Sequence, residues 1–341
     1  MALNKKSILF ITTQYRAGER IYPIIPYLAE DYTLDLLKVY HMHPQKGKWG
    51  GNQDLRKVFD QKYSKYFFNK FISVSDISNL SQYDLILVDD NRVRPELTDI
   101  YYRRNCLMIG NSHGCSDHKY EIINYKKCFD GFFVFGQKEC TQSYHIPGGI
   151  PANDNLKNYL EIKKEHILVI TNFLGWEPTL TDMKGFTFKK CNKHFFDSLH
   201  LLELQKRYNK KIIIKIKSRE DQPFQRNIDY IKSLLPLNLD YKILVDVEDD
   251  NLLIAKSCLV LGPPSTLALK AIQSKIPTVL FKGYGQTSVF KNYKYLMNIE
   301  DFNPTLNFQP QKEWIEETIQ GGLTWDSTNY YLNYIKQLLN G

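Results

Sequence analysis

The chain has 341 residues, 43% hydrophobic and 24% charged, which excludes a disordered polymer and is enough for two ordinary α/β domains. It contains no run of 18 apolar residues, so no segment is a candidate membrane span. Its 45 basic residues exceed 37 acidic ones to give a net charge of +8, but the two signs are interspersed and nucleic acid is not the expected partner.

Residues 7–13 are predicted as a first strand, the apolar stretch being too short for a signal peptide. A loop holding Arg16 and Gly18 follows, then a helix over 19–29 and a strand over 34–39. This opening reads as a βαβ unit, which implies a parallel sheet with a right-handed crossover. Residues 46–52 read as an exposed loop. Continuous apolar runs at 84–88, 106–109 and 131–135 suit strands buried on both faces.

Pro147-Gly148-Gly149-Ile150-Pro151 is the clearest break in the pattern. A second series begins shortly after it, with strands at 167–171, 212–216, 241–245, 258–261 and 278–281. Helices are predicted over 193–208, 228–235, 251–257 and 266–274, and over 314–321 and 330–339 at the end. The fold class is therefore α/β, two Rossmann-like domains whose parallel sheets face a cleft. The expected boundaries are 1–155 for an acceptor-side domain, 156–322 for a donor domain, and 323–341 for a helix packing back toward the first. Ligands of such sheets bind outside the carboxyl ends of the strands, so the loops after strands are where chemistry is sought.

Three loops carry candidate residues. Gly262-Pro263-Pro264-Ser265-Thr266 follows a strand and opens a helix, with Ser265 or Thr266 at the N-cap. A helix start offers N–H groups and a positive dipole end to a phosphate, and an ordinary cap has the same sequence. His113-Gly114 follows the strand at 106–109, where an imidazole suits general-base work, although a lone loop histidine is more often a plain turn residue. Lys215, Lys217 and Arg219 leave the strand at 212–216, as phosphate ligands or as solvated charges.

Cys115 and His118 beside His113 do not form a recognised zinc pattern, and no metal is expected. The six cysteines show no paired spacing, which suits buried thiols in a reducing compartment. G-x-G-x-x-G after the first strand is absent, so no dinucleotide cofactor is expected, and a Walker A loop and Asp-x-Asp are absent as well.

Taken in order, four segments resemble a known group. They are His113-Gly114; Gly149-Ile150-Pro151 with Asp154 and Leu156; Lys215-Ile216-Lys217-Ser218-Arg219-Glu220; and Ser265-Thr266 through Lys270-Ala271 to Lys275-Ile276-Pro277. The group comprises the CDP-glycerol glycerophosphotransferases and bacterial polysaccharide glycosyltransferases of GT-B fold, related to the UDP-N-acetylglucosamine 2-epimerase fold. The resemblance covers roughly residues 84–282. It implies His113 as base, Pro264, Ser265 and Thr266 at the donor phosphates, and Asn172 lining the cleft. Arg16, Gly18, Gly114 and Asp117 would lie on the acceptor side.

Two positions depart from the pattern. Lys217-Ser218 stands where the group has histidine-proline, and Lys270 where it has a glutamate expected at the donor's ribose. An ammonium cannot accept a hydrogen bond as a carboxylate does, which puts the donor's identity in question.

The expected function is glycosyl transfer from a nucleotide-sugar donor, consumed as substrate with no cofactor, to a surface glycan or lipid-linked acceptor. Alternatives are glycerophosphate transfer from a CDP-polyol, 2-epimerisation of a UDP-sugar (with Asp117 and Glu139 as the available carboxylates), a phage-type DNA glycosyltransferase, and a non-catalytic binding member of the fold. The expected location is the cytoplasm. Peripheral contact with an anionic membrane through the positive surface and the last helices is a further expectation.

Overall fold

The apolar runs become strands because their β-branched and leucine side chains find packed surface on both sides of a sheet. The computed structural model describes residues 5–13, 18–39, 51–90, 95–112, 129–171, 188–216, 224–245, 249–283 and 289–340. In the first half of the chain run β1 (Ser7–Thr12), α1 (Ile25–Asp31), β2 (Thr33–Lys38), α2 (Gly51–Tyr63) and β3 (Lys70–Phe71). They are followed by β4 (Leu85–Val88), α3 (Pro95–Arg103), β5 (Leu107–Asn111), β6 (Gly131–Val134) and β7 (His145–Pro147). The second half holds β8 (His166–Thr171), α4 (Phe188–Ser198), α5 (Leu201–Tyr208), β9 (Lys211–Ile216), α6 (Phe224–Leu234) and β10 (Tyr241–Leu244). After these come α7 (Asp250–Ala255), β11 (Ser257–Gly262), α8 (Thr266–Gln273), β12 (Thr278–Phe281), β13 (Leu296–Met297), α9 (Lys312–Thr318) and α10 (Ser327–Asn340). Among the described residues no helix is long and apolar enough to cross a membrane.

The chain forms two units, Met1–Asp154 with Glu316–Gly341, and Asn155–Ile315. The first carries a parallel sheet of order β3-β2-β1-β4-β5-β6-β7. Strand order reverses between β1 and β4, where Ile8 pairs with Leu85 and Ile11 with Val88. Alternate residues of β1 feed two cores: Ile8 and Phe10 lie with Leu34, Leu36 and Phe133, whereas Leu9 and Ile11 lie with Ile86, Val88 and Met108. Helix α10 closes the first of these cores with Tyr331, Ile335 and Leu339, four residues apart and all buried. That apolar stripe of the last helix is thus occupied inside the unit.

Predicted helix 19–29 forms only from Ile25, preceded by a 3-10 turn at Tyr22–Ile24, because Pro23 and Pro26 supply no N–H and are tolerated only in a first turn. Gly148 and Gly149 are packing positions. A Cβ at Gly148 would lie 2.4 Å from the Tyr331 ring, and one at Gly149, where φ is +79°, would lie 2.2 Å from the Gln320 carbonyl oxygen. Asp154 then accepts the N–H groups of Ser327 (3.0 Å) and Thr328 (2.7 Å) at the start of α10.

The second unit has the order β10-β9-β8-β11-β12-β13, again all parallel, reversing between β8 and β11. The single helix predicted over 193–208 is two helices, α4 and α5, broken by His200 in the left-handed region (φ 48°). Phe195 and Leu199 are buried, as are Leu201 and Leu204. A straight helix would put these two pairs on roughly opposite faces, and the break turns both inward.

Candidate functional site

In the second unit the site is built at the reversal of strand order. Gly262 ends β11 with a Cβ position only 2.8 Å from the Ile170 carbonyl oxygen, so only a bare backbone lets β11 lie this close to β8. Pro263 and Pro264 are buried, and Ser265 is extended (φ −160°, ψ 163°) at the N-cap of α8. Its Oγ accepts the Ala268 N–H at 3.1 Å. The N–H groups of Thr266 and Leu267, in the first turn, have no acceptor within the helix and point with the positive end of its dipole. The arrangement can receive an anion through backbone groups, while the Ser265 hydroxyl serves as the cap.

Lys270, one turn along α8, donates to Asn251 Oδ1 at 3.2 Å. Lys215, near the end of β9, is paired with Asp250 at 3.5 Å and is largely shielded. Both lysines therefore reach the first residues of α7, where Asp249 caps the helix through the N–H groups of Asn251 and Leu252. The other oxygen of Asp249 accepts the Tyr159 hydroxyl at 3.0 Å, and this bond raises the Tyr159 pKa. The helix predicted over 251–257 begins one residue earlier, and the acidic pair Asp249-Asp250 directly before its apolar run is a legible cap signal that the prediction does not use.

In the first unit the corresponding reversal lies between β1 and β4. Asp89 and Asp90 follow β4 and are fully buried. Asp89 gathers four hydrogen bonds: from Thr12 Oγ1 (2.6 Å), Thr13 N (2.9 Å), Thr13 Oγ1 (3.0 Å) and the Tyr22 hydroxyl (2.9 Å). Burial pushes its carboxyl up to about 6 and the charge of Asp90 adds to this, against the pull of the Thr12, Thr13 and Tyr22 bonds. Gly18 belongs to this cluster as a packing position, since a Cβ there would lie 2.2 Å from the Tyr22 hydroxyl.

Beside it, Asn111 at the end of β5 donates to the Val88 carbonyl at 2.7 Å and accepts the Tyr331 hydroxyl. A cavity of about 10 Å³, room for one water, lies between Arg20, Asn111, Ser112, Phe133 and Tyr331. Glu139 is buried and accepts the Phe135 N–H at 3.1 Å.

Of the residues singled out by sequence, Lys215, Pro264, Ser265, Thr266 and Lys270 are thus placed in the second unit and Gly18 in the first. Arg16, His113, Gly114, Asp117, Asn172, Lys217 and Arg219 lie outside the described residues, as do Cys115 and His118. Among the described residues no group of three His, Cys, Asp or Glu side chains is arranged to hold a metal ion.

The chain matches no family model and no curated protein sequence. Solved structures do match in fold. A UDP-GlcNAc 2-epimerase from Neisseria meningitidis bound to UDP-GlcNAc superposes with a TM-score of 0.57 at 12% identity, over 97% of this chain and 100% of that one. MnaA of S. aureus, in complex with UDP, gives a TM-score of 0.56 at 15% identity, over 98% and 97%. MurG of Acinetobacter baumannii gives 0.52 at 10%, over 97% and 99%. At these identities the likeness is one of architecture: two Rossmann-like α/β units of the GT-B type.

Proposed function

We propose that the protein is a glycosyltransferase that takes a sugar from a nucleotide-activated donor and passes it to a glycan or lipid-linked acceptor. The observation that carries this reading is the turn from β11 through Pro263-Pro264-Ser265 into α8, beside the strand reversal of the second sheet. Ligands of parallel α/β sheets gather at that point, and a helix start there suits a diphosphate. Neighbours of the same fold bound to UDP or UDP-GlcNAc support a nucleoside-diphosphate sugar as the ligand.

In this reading the Thr266 and Leu267 N–H groups stabilise the negative charge that develops on the departing diphosphate. His113 removes the proton of the acceptor hydroxyl as that oxygen attacks the sugar. Lys215 and Lys270 act indirectly, by holding the start of α7.

Epimerisation of a UDP-sugar is the second reading, favoured by the epimerases among the structural neighbours. Proton removal from a sugar carbon calls for carboxylates directed at the ligand. Glu139, one of the two candidates, is buried and bonded to the Phe135 N–H instead, which is why transfer is preferred.

A thermal-shift panel of UDP, CDP, CMP and GDP, with the double variant Ser265→Ala, Thr266→Ala, tests the ligand. One nucleoside diphosphate should stabilise the wild type and stabilise the variant less. No shift with any nucleotide would overturn the reading. With the donor known, a changed free UDP-sugar formed without acceptor would establish epimerisation, and CMP release with phosphate retained on the product would establish polyol-phosphate transfer.

A further inference from the structure

Strand β3 is the edge of the first sheet, paired on one side only, with Lys70 opposite Leu36 and Phe71 opposite Leu37. Two residues to either side of Lys70 stand Phe68 and Ile72, 80% and 74% exposed. Neighbouring Phe67 shows the contrast: it is buried, its ring 6.0 Å from that of Phe10 and 6.2 Å from that of Phe59. The fold therefore has an inward place for one phenylalanine of the pair and directs the other outward. An exposed apolar residue alone is ordinary, but two large ones within five residues on a sheet edge mark a contact surface.

The segment that leads to this pair is rich in lysine, and one acid, Glu96, lines a pocket with Ile72. Lys57, Lys62, Lys65 and Lys70 are all exposed. The only acid between residues 57 and 72 is Asp60, and it is paired with Lys38. Asp76, just beyond, accepts the N–H groups of Ile72 and Ser73 within its own turn.

We propose that this edge is a docking surface for an anionic bilayer, with Phe68 and Ile72 entering the headgroup boundary and the lysines meeting lipid phosphates. Apolar anchors accompanied by exposed lysines, here Lys65 and Lys70 in the same segment, have the chemistry of a peripheral membrane contact. A second copy of the chain fits less well. A two-fold contact through this edge would bring the same lysines against each other, and lysine on an edge strand works against pairing of edges. The proposal concerns the first unit alone and is independent of the nucleotide reading.

The full-length chain is floated with vesicles of phosphatidylcholine alone and of phosphatidylcholine mixed equally with phosphatidylglycerol. Binding is expected only to the mixed vesicles. It should fall at least about tenfold in Phe68→Ser, Ile72→Ser, as anchor burial is lost. It should fall by about tenfold or more in Lys65→Gln, Lys70→Gln, with a weaker dependence on salt. Both variants change exposed side chains, and an unchanged melting temperature establishes that each is folded. The proposal is overturned if the wild type does not float with mixed vesicles, or if folded variants float equally well. A dimer in solution that dissociates in Phe68→Ser, Ile72→Ser, without vesicle binding, would assign the edge to self-association instead. Nucleotide-induced thermal shifts are read separately, so neither result decides the other.

Discussion

The hydroxyl of Tyr331 donates to Oδ1 of Asn111 at 2.5 Å, joining residues 220 positions apart. Asn111 is the last residue of β5 and its amide donates to Val88 at the end of β4, so one side chain of the final helix ties down two strand ends of the first sheet. The Tyr331 ring also stacks on Phe133 with centroids 3.9 Å apart. Burial raises the Tyr331 pKa, so the hydroxyl remains a donor across the accessible pH range.

Tyr331→Phe keeps the stacked ring and removes only the hydroxyl. It should lower stability by about 1–2 kcal/mol, the cost of leaving a buried amide oxygen without its donor. Tyr331→Ala should cost about 3–5 kcal/mol, since a cavity opens as well. Urea unfolding of both variants checks the difference; a Tyr331→Phe variant as stable as the wild type would mean that the hydroxyl contributes nothing.

Asp89 gives a pH dependence of definite sign. Its carboxyl is raised from 3.8 to about 6 in the folded chain, chiefly by burial. The folded state therefore holds the proton more tightly than the unfolded one. The stabilisation from this group is complete below about pH 4 and is lost as pH rises through about 6, an effect on the order of 2–3 kcal/mol. In Asp89→Asn, which cannot ionise, that component should vanish, so the difference in stability between wild type and variant should change between pH 4 and 7. A constant difference would contradict the assignment.

Gly149 has φ at +79° and no room for a methyl group beside the Gln320 carbonyl and the Ser327 hydroxyl. Gly149→Ala should therefore destabilise the first unit by about 2–4 kcal/mol, combining left-handed strain with overpacking. Thermal unfolding of Gly149→Ala beside the wild type measures it. An unchanged melting temperature would mean that the segment carrying Gln320 moves aside at little cost.

The helix start at Thr266 allows the proposed anion site to be tested with the helix preserved. Proline is tolerated at the first helical position, and Ser265 is already extended as the residue before a proline must be. Thr266→Pro should leave stability within about 1 kcal/mol while removing one anion-binding N–H. Nucleoside-diphosphate binding measured by calorimetry should weaken by about tenfold or more. Thr266→Val, which retains the N–H and drops the hydroxyl, should weaken it less. The reverse ranking would shift the contact from backbone to side chain.

What could be read from the sequence alone is what depends on neighbours along the chain. Strand β12 occupies the predicted residues because a β-branched and leucine run bounded by Pro277 and Gly283 has few other conformations to adopt. Ser265 caps α8 because a short hydroxyl side chain reaches an N–H only three residues away. The parallel, two-unit α/β class followed from such local elements in their order. Tertiary structure decided the rest. Gly148 and Gly149 read as a loose break and are instead contact points for a segment more than 170 residues further on, as the contacts with Gln320 and Tyr331 show. Nothing local marks Asp89 as the acceptor for Thr12, Thr13 and Tyr22, since only the reversal of strand order brings β1 and β4 side by side. Lys215 and Lys270 read as donor-side candidates, and their partners Asp250 and Asn251 are supplied by a third element. Periodicity and capping act over a few residues and leave their mark in composition. Which polar group meets which across a sheet depends on topology, and no local pattern encodes it.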